Sequence, residues 1–587
     1  AMAGAMNDAD NNVAVGYIAL QGLTLGDYNV AIGSNAGNDL TEGSQNVAIG
    51  YQALDRATSG ADGNVAIGYQ AMHGNFGSND VDLCVAVGKF ALGNGTLEAA
   101  AGGSVGVGYG ALMELTSGER NSAWGYQALQ DLDDGDDNVM VGYAAAVDAQ
   151  DVGFLKNTGV GNYVFSQVAA NIDAENNTAL GFGACAGVLT DVAHDNTALG
   201  YKALNASTSA KDNVCVGSSA GLNITSGNGN IIVGKNALDV ATTATKNVFI
   251  GEEAGGTLRA AQAYTGAVAI GYQAMYGTGS SHTTGLNYSV AIGYNALLEC
   301  VSGNNIGIGL SAGYQLGSGT GNIAIGIRAM DFALAASNNN IAIGTDVMGD
   351  ANTNGSEDNV FIGHGAAGGN MNQANSNVGV GSNAGAAITS GDSNVLIGYD
   401  CGNAITGGSA NTLVGFNVDC AATQDYAIAI GRSFTATTAE NGFTVGNGSN
   451  TMFYDLDSGN ITITSDRRVK ENIIDSSIGL SFIEKLRPVQ FNKKAPADLP
   501  EEFWNLSNLP EDSIERTSTE AGKKKITGLI AQEVKEVMDE LEVDFNGWSE
   551  QEETTKQELS YVSFIVPLIK SVQELSAKVE ELEAKLK

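Results

Sequence analysis

Over the first four-fifths of the chain, hydrophobic and polar positions alternate within very short units. Asn46–Leu54 reads NVAIGYQAL and Asn64–Met72 reads NVAIGYQAM. In each unit the Val and Ile lie two apart and share one face of a strand, while the Ala between them points to the other face. One face is bulky and apolar, the other merely small. The Asn before and the Gly after suit the left-handed backbone of a corner. A second short segment, YQAL, follows, and a polar loop such as Thr58–Gly63 (TSGADG) closes the unit.

Looser copies fill the whole region. The closing glycine recurs 25 times from Gly16 to a degenerate copy at Gly446, usually 17 residues apart. A single coil cannot bury its Val/Ile face, so stacking is expected to bury these residues as a continuous ladder, with length variation absorbed in surface loops. At the spacing of parallel strands, about 4.8 Å, the 24 intervals give a rod of roughly 115 Å. The pattern predicts a mainly β fold, either a parallel β-solenoid or a triple β-helix in which three chains wind around one another.

The pattern changes after residue 464. Phe453–Thr464 (FYDLDSGNITIT) alternates like a strand and delivers the chain to Ser465. Ile478–Leu486 then has helical apolar spacing and is stopped by Pro488, VQF is extended, and ITGLIAQEVKEVMDEL reads as a strand or turn running into a helix. At the end, Leu568, Val572, Leu575, Val579, Leu582 and Leu586 alternate steps of four and three, a heptad seam on a Glu/Lys-rich helix that Pro567 would begin or kink. Such a seam needs partner chains, unless the helix packs its apolar stripe inside its own domain.

Composition places the border at the same point. All five prolines follow residue 464, together with only four of the 79 glycines. The formal net charge is −37, of which about −29 precedes Ser465. An acidic shaft has no electrostatic footprint for nucleic acid or an anionic membrane surface. No apolar run is long enough to span a membrane.

The six cysteines are scattered without CxxC spacing, so they read as small buried hydrophobes rather than a zinc or disulfide framework, and the four histidines read as surface residues. The acidic stretch Asp131–Asp137 offers Asp131, Asp133 and Asp136 as calcium ligands, but it lacks a complete EF-hand pattern and reads more readily as a solvated loop. No other cofactor is indicated.

Two resemblances add to this reading. The repeats resemble the SVAIG coils in the head domains of trimeric bacterial surface adhesins, which are parallel β-rolls with shorter, more regular units. This resemblance implies a β-rich, three-chain rod.

The C-terminal part carries three boxes in order: SDRRVK from Ser465, GLIAQEV from Gly528 and YVSFIVPLIKSVQEL from Tyr561. They resemble the intramolecular chaperone auto-processing domain at the C-termini of phage tail fibres, tailspikes and neck appendages. The resemblance implies a trimeric chaperone that cuts itself off, with Ser465 as nucleophile, Lys470 as general base and the scissile bond between Thr464 and Ser465. Asp466 matches the signature, and Arg467 and Arg468 are cationic neighbours able to lower a lysine pKa. Taken alone, without the two other boxes, Ser465 or Asp466 reads more readily as a helix cap than as part of a catalytic pair.

The expected organisation is a cloning remnant or linker over residues 1–11, a repeat rod over 12–446, a connector strand over 447–464 and an α+β chaperone and peptidase domain over 465–587. The expected protein is a homotrimeric phage tail fibre or appendage. It would meet a host cell-surface receptor or glycan and join the virion tail through a region upstream of residue 1. Alternatives are a bacterial surface adhesin with the same maturation and a polysaccharide-degrading tailspike. Against the tailspike, no interval between marker glycines is long enough for an inserted catalytic domain.

Overall fold

The computed structural model describes residues 8–586, except 59, 77–78, 99–100, 151–152, 170–173, 190–191, 259–263, 278–285, 333–336, 350–354, 437–440, 449, 458–460, 464–466, 468–469, 501–517, 520–521, 523 and 552–554. Contacts divide the chain into two compact units, Ala1–Thr464 and Ser465–Lys587.

The first unit is a parallel β-solenoid built on a 27-stranded sheet. Most coils contribute a three-residue strand to it, such as Val30–Ile32, Val47–Ile49 or Val65–Ile67, and the last ones longer strands such as Thr412–Asp419. Every strand pairs in register with the next: Val30 faces Val47 and Val47 faces Val65. Consecutive coils of one chain bond one another, so the solenoid, and not the intertwined triple helix, is the architecture. Register survives changes in coil length: Val268 still faces Val290, and Val290 still faces Ile306. The last strands switch hand, with Asn450–Asp455 antiparallel to Gly442–Asn447 and Ile461–Ile463 antiparallel in turn.

The structure reverses the expected sidedness of the strands. The central Ala of each triplet is the residue that faces inward, and Ala31, Ala48, Ala66, Ala86 and Ala123 are all buried. The Val and Ile on either side point outward and stay partly exposed, for example Ile32 at 40 %, Ile292 at 37 % and Ile397 at 41 %. The coil is too narrow for two β-branched side chains, and its interior is filled from the corners by Leu54, Met72, Leu92 and their equivalents. A bulky central residue can be accommodated where a glycine of the same or the next coil leaves room. Phe361 lies where a Cβ on Gly379 would come within 2.3 Å of its ring, and Phe249 stands likewise against Gly255 at 2.5 Å, as close packing demands.

The corner asparagines also differ from expectation. The left-handed residue is the one before each Asn, as at Gln45 and Asp137, while the Asn side chain turns inward. There the Asn residues form a polar ladder. Asn230 donates from its backbone N–H (3.0 Å) and its Nδ2 (2.8 Å) to Asn213 Oδ1, gives a second Nδ2 bond to Ala244 O (2.7 Å), and accepts the same pair from Asn247. Each buried amide is satisfied by the coils on either side, which is the condition for placing a polar row inside an apolar core. The closing glycines are left-handed, as the sequence suggests. At Gly50, φ is +139°, and an added Cβ would lie 2.2 Å from Gly68 O.

The second unit is small. Helix α1 (Leu480–Ile483), helix α2 (Ala531–Glu540) and the terminal helix α3 (Ile565–Leu586) surround a core of Phe482, Val534, Val537, Met538, Phe545 and Phe564. Two antiparallel pairs complete it, Val489–Phe491 with Ile526–Gly528 and Trp548–Glu550 with Gln557–Leu559. Pro567 falls in the first turn of α3, where its missing N–H breaks no helical bond.

Two predictions concern the solenoid. Asn230→Asp removes both Nδ2 donations and sets an oxygen against two acceptors, so it should lower the denaturation midpoint by the equivalent of about 3 kcal/mol. Gly50→Ala should be comparably damaging, and a midpoint unchanged in either variant would contradict the ladder described.

The second prediction concerns pH. Burial pushes the carboxyl of Asp239 up to about 6, with Glu253 adding to the effect. Burial likewise raises Asp55, Asp136, Asp148 and Asp419. Because these folded-state values lie above the unfolded ones, the associated stability is complete below the unfolded pKa and is lost as pH rises through the folded value. The melting temperature should therefore rise on acidification from about pH 8 to about pH 5, and less steeply in Asp239→Asn. An identical slope in the variant would exclude Asp239 as a contributor.

Candidate functional site

The border residues lie where the two units meet in sequence. Thr464, Ser465, Asp466 and Arg468 fall outside the described residues. Arg467 and Lys470 are described, both exposed, and the Lys470 N–H donates to Arg467 O at 3.2 Å.

The GLIAQEV box has a packing role that its spacing does not reveal. Gly528 ends the strand Ile526–Gly528, and a Cβ there would lie 2.4 Å from Tyr561 Oη. That hydroxyl accepts the Leu529 N–H at 2.8 Å, joining the second box to the third. Val534 and Val537 then turn into the core from α2, while Glu533 pairs with Arg487. The third box also closes on the first helix: Glu574 of α3 accepts the Leu480 N–H at 2.8 Å and so caps α1. An apolar pocket of about 390 Å3 remains between these elements, lined among others by Leu486, Leu529, Tyr561, Phe564 and Leu568.

The heptad residues of α3 are not covered by their own unit. Leu568, Val572, Leu575, Val579, Leu582 and Leu586 are between 46 % and 87 % exposed, whereas Pro567 and Ser571 are the buried residues of the helix. This leaves an exposed apolar stripe along α3 from Leu568 to Leu586.

The acidic loop does not gather its carboxylates. Asp133 accepts from Thr116, Asp136 accepts the Glu119 N–H at 2.8 Å, and Asp131 accepts from Gln130 at 3.0 Å, so each is engaged separately. Stacking brings together a group that sequence spacing hides. His194, Asp195 and Asp212 place one ligand atom each within 4.8 Å of one another and could hold a divalent cation. They converge because Asp195 and Asp212 occupy the same corner of successive coils, a relation visible only once the coil length is known. The six cysteines are free and buried, as expected, and burial pushes the thiols of Cys84 and Cys300 up to about 11. Such thiols are inert rather than nucleophilic.

Among the described residues no helix is long and apolar enough to cross a membrane. Residues 465–541 match the family model described as chaperone of endosialidase, a family that implies self-cleaving chaperone autoproteolysis. No curated protein and no solved structure matches the chain significantly. A C-terminal region similar to that family, following a long solenoid of stacked coils, fits a fibre-like protein with a C-terminal chaperone.

Proposed function

We propose that the chain is the shaft of a homotrimeric phage tail fibre or appendage that attaches to a host surface, and that its C-terminal unit registers three chains and then releases itself. One coincidence carries this reading. The family match begins at Ser465, the residue at which contacts divide the chain into two units.

In the proposed reaction, the Lys470 amine takes the proton of the Ser465 hydroxyl, and the oxygen attacks the carbonyl carbon of Thr464. The Thr464–Ser465 amide bond breaks, the proton passes to the freed Ser465 amine, and Thr464 is held as an ester on Ser465. Water then hydrolyses the ester to give a Thr464 carboxylate and the original hydroxyl. A serine is nucleophilic only beside a base, and a lysine acts as one only when burial or cationic neighbours lower its pKa. Lys470 is exposed in the single chain, so assembly is the step that would bury it and couple cleavage to a completed fibre.

The outward Val/Ile lane supports the trimer. It runs roughly 115 Å along the sheet and is about 7 Å wide from one outward residue to the next, so it offers about 800 Å2. That exceeds the few hundred Å2 a monomer usually exposes and equals the contribution of one partner to a standard interface. The bare stripe on α3 requires the same kind of cover.

Two experiments test the reading. Expressed protein should separate on a denaturing gel into a fragment ending at Thr464 and one beginning at Ser465, while Ser465→Ala and Lys470→Ala stay whole. Cleavage persisting in Ser465→Ala would refute the dyad. For the trimer, Ile292→Lys should abolish the trimeric mass without unfolding the coil, because the side chain points outward. Unchanged trimers in Ile292→Lys would show that the lane is solvent-facing.

A further inference from the structure

One stretch of the solenoid departs from the pattern of its neighbours. Four successive coils read GIRAMDF from Gly326, GTDVMGD from Gly344, GHGAAGG from Gly363 and GSNAGAA from Gly381. At the fifth position after the marker, most other coils carry a longer side chain such as Asp55, His73, Gln130, Asn205 or Tyr276, and the small residues Gly93, Ala186 and Gly256 stand singly. Here Asp331 is followed by Gly349, Gly368 and Ala386, and Gly365 removes a further side chain at the second position. The lost side chains leave a cleft of about 690 Å3 lined by Arg328, Asp331, Phe332, Asp346 and Asn383 around these small residues. Its size suits a small organic ligand.

The walls are chemically mixed. Arg328 holds Asp346 in a two-pronged pair, Nε to Oδ1 at 2.7 Å and the second nitrogen to Oδ2 at 2.8 Å, which fixes both groups at the rim. Asp331 is buried, its carboxylate beside Gly349. Asn383 is oriented by donating to Asp400 at 2.8 Å. Phe332 lines the cleft, is 44 % exposed and stacks on no other ring among the described residues. This sets it apart from Tyr109, Tyr126 and Tyr143, whose faces are occupied by one another at 5.0 Å.

We propose that this cleft is a binding site for a neutral saccharide. Carboxylate and carboxamide oxygens accept from vicinal hydroxyls, the guanidinium and amide N–H groups donate to them, and the apolar Phe332 ring receives the C–H face of a pyranose. The two carboxylates outnumber the single cation in a chain of net charge −37, which disfavours phosphate or an acidic sugar. The site lies within four coils of one chain, so it depends on neither self-cleavage nor trimerisation, and it would give host attachment a contact point.

The test is ligand-observed saturation-transfer NMR on the full chain with glucose, galactose, mannose and N-acetylglucosamine, with N-acetylneuraminic acid and inorganic phosphate as anionic controls. At least one neutral sugar should show transfer. Binding should weaken roughly tenfold or more in Phe332→Ala and in Gly349→Gln. Gly349 is suited to the second change because its backbone is not left-handed and an added Cβ meets only Asp331 Oδ1, at 3.3 Å, closer than 3.7 Å. Both variants should keep the parent melting temperature, and Phe332→Ala provides the test if Gly349→Gln fails to fold. Absence of transfer from every neutral sugar, transfer from the anions alone, or unchanged binding in a folded variant would overturn the proposal.

Discussion

The coil-to-coil backbone ladder is the constraint on which the rest depends. Most strands of the ladder are only three residues long and bond in register to the strands on both sides, so the middle residue must point one way and its two flanking residues the other. With the chain wound into a coil of about 17 residues, the interior has room for the single middle side chain. The pair of β-branched residues is left outside, and an apolar lane along the solenoid follows from the geometry rather than from any need of the single chain.

The narrow interior also explains the other regularities. A buried polar row is tolerable because the Asn ladder saturates itself between successive coils, and where Ser104 replaces an Asn its hydroxyl still accepts the Asn121 N–H at 3.3 Å. Some large inward residues sit directly against glycines, as Phe361 against Gly379. At the C-terminal end of the ladder, the switch to antiparallel pairing at Asn450–Asp455 covers an edge that would otherwise offer unpaired backbone groups.

Both units therefore present the same physical situation by different means. The solenoid exposes Val and Ile because its interior is full, and α3 exposes its heptad leucines because the small core around Phe482, Phe545 and Phe564 needs only the start of the helix. Exposed apolar surface of this kind marks an interaction surface.

Sequence alone determined the repeat, its β character, the change of architecture after residue 464 and the heptad stripe, because each is a local periodicity in residue type. It also marked the left-handed glycines, since a closing Gly in every coil has a backbone reason. Which strand face is the core was not legible: the Val-Ala-Ile pattern defines two faces, and only the width of the closed coil decides that the smaller residue goes inside. The Asn side chain posed the same difficulty, since a corner residue and a buried ladder residue look alike until the coils are stacked. The convergence of His194, Asp195 and Asp212, and of Arg328, Asp331, Phe332, Asp346 and Asn383, likewise arose from tertiary structure. Groups a coil apart in sequence become neighbours only when the backbone ladder sets successive coils one strand spacing apart.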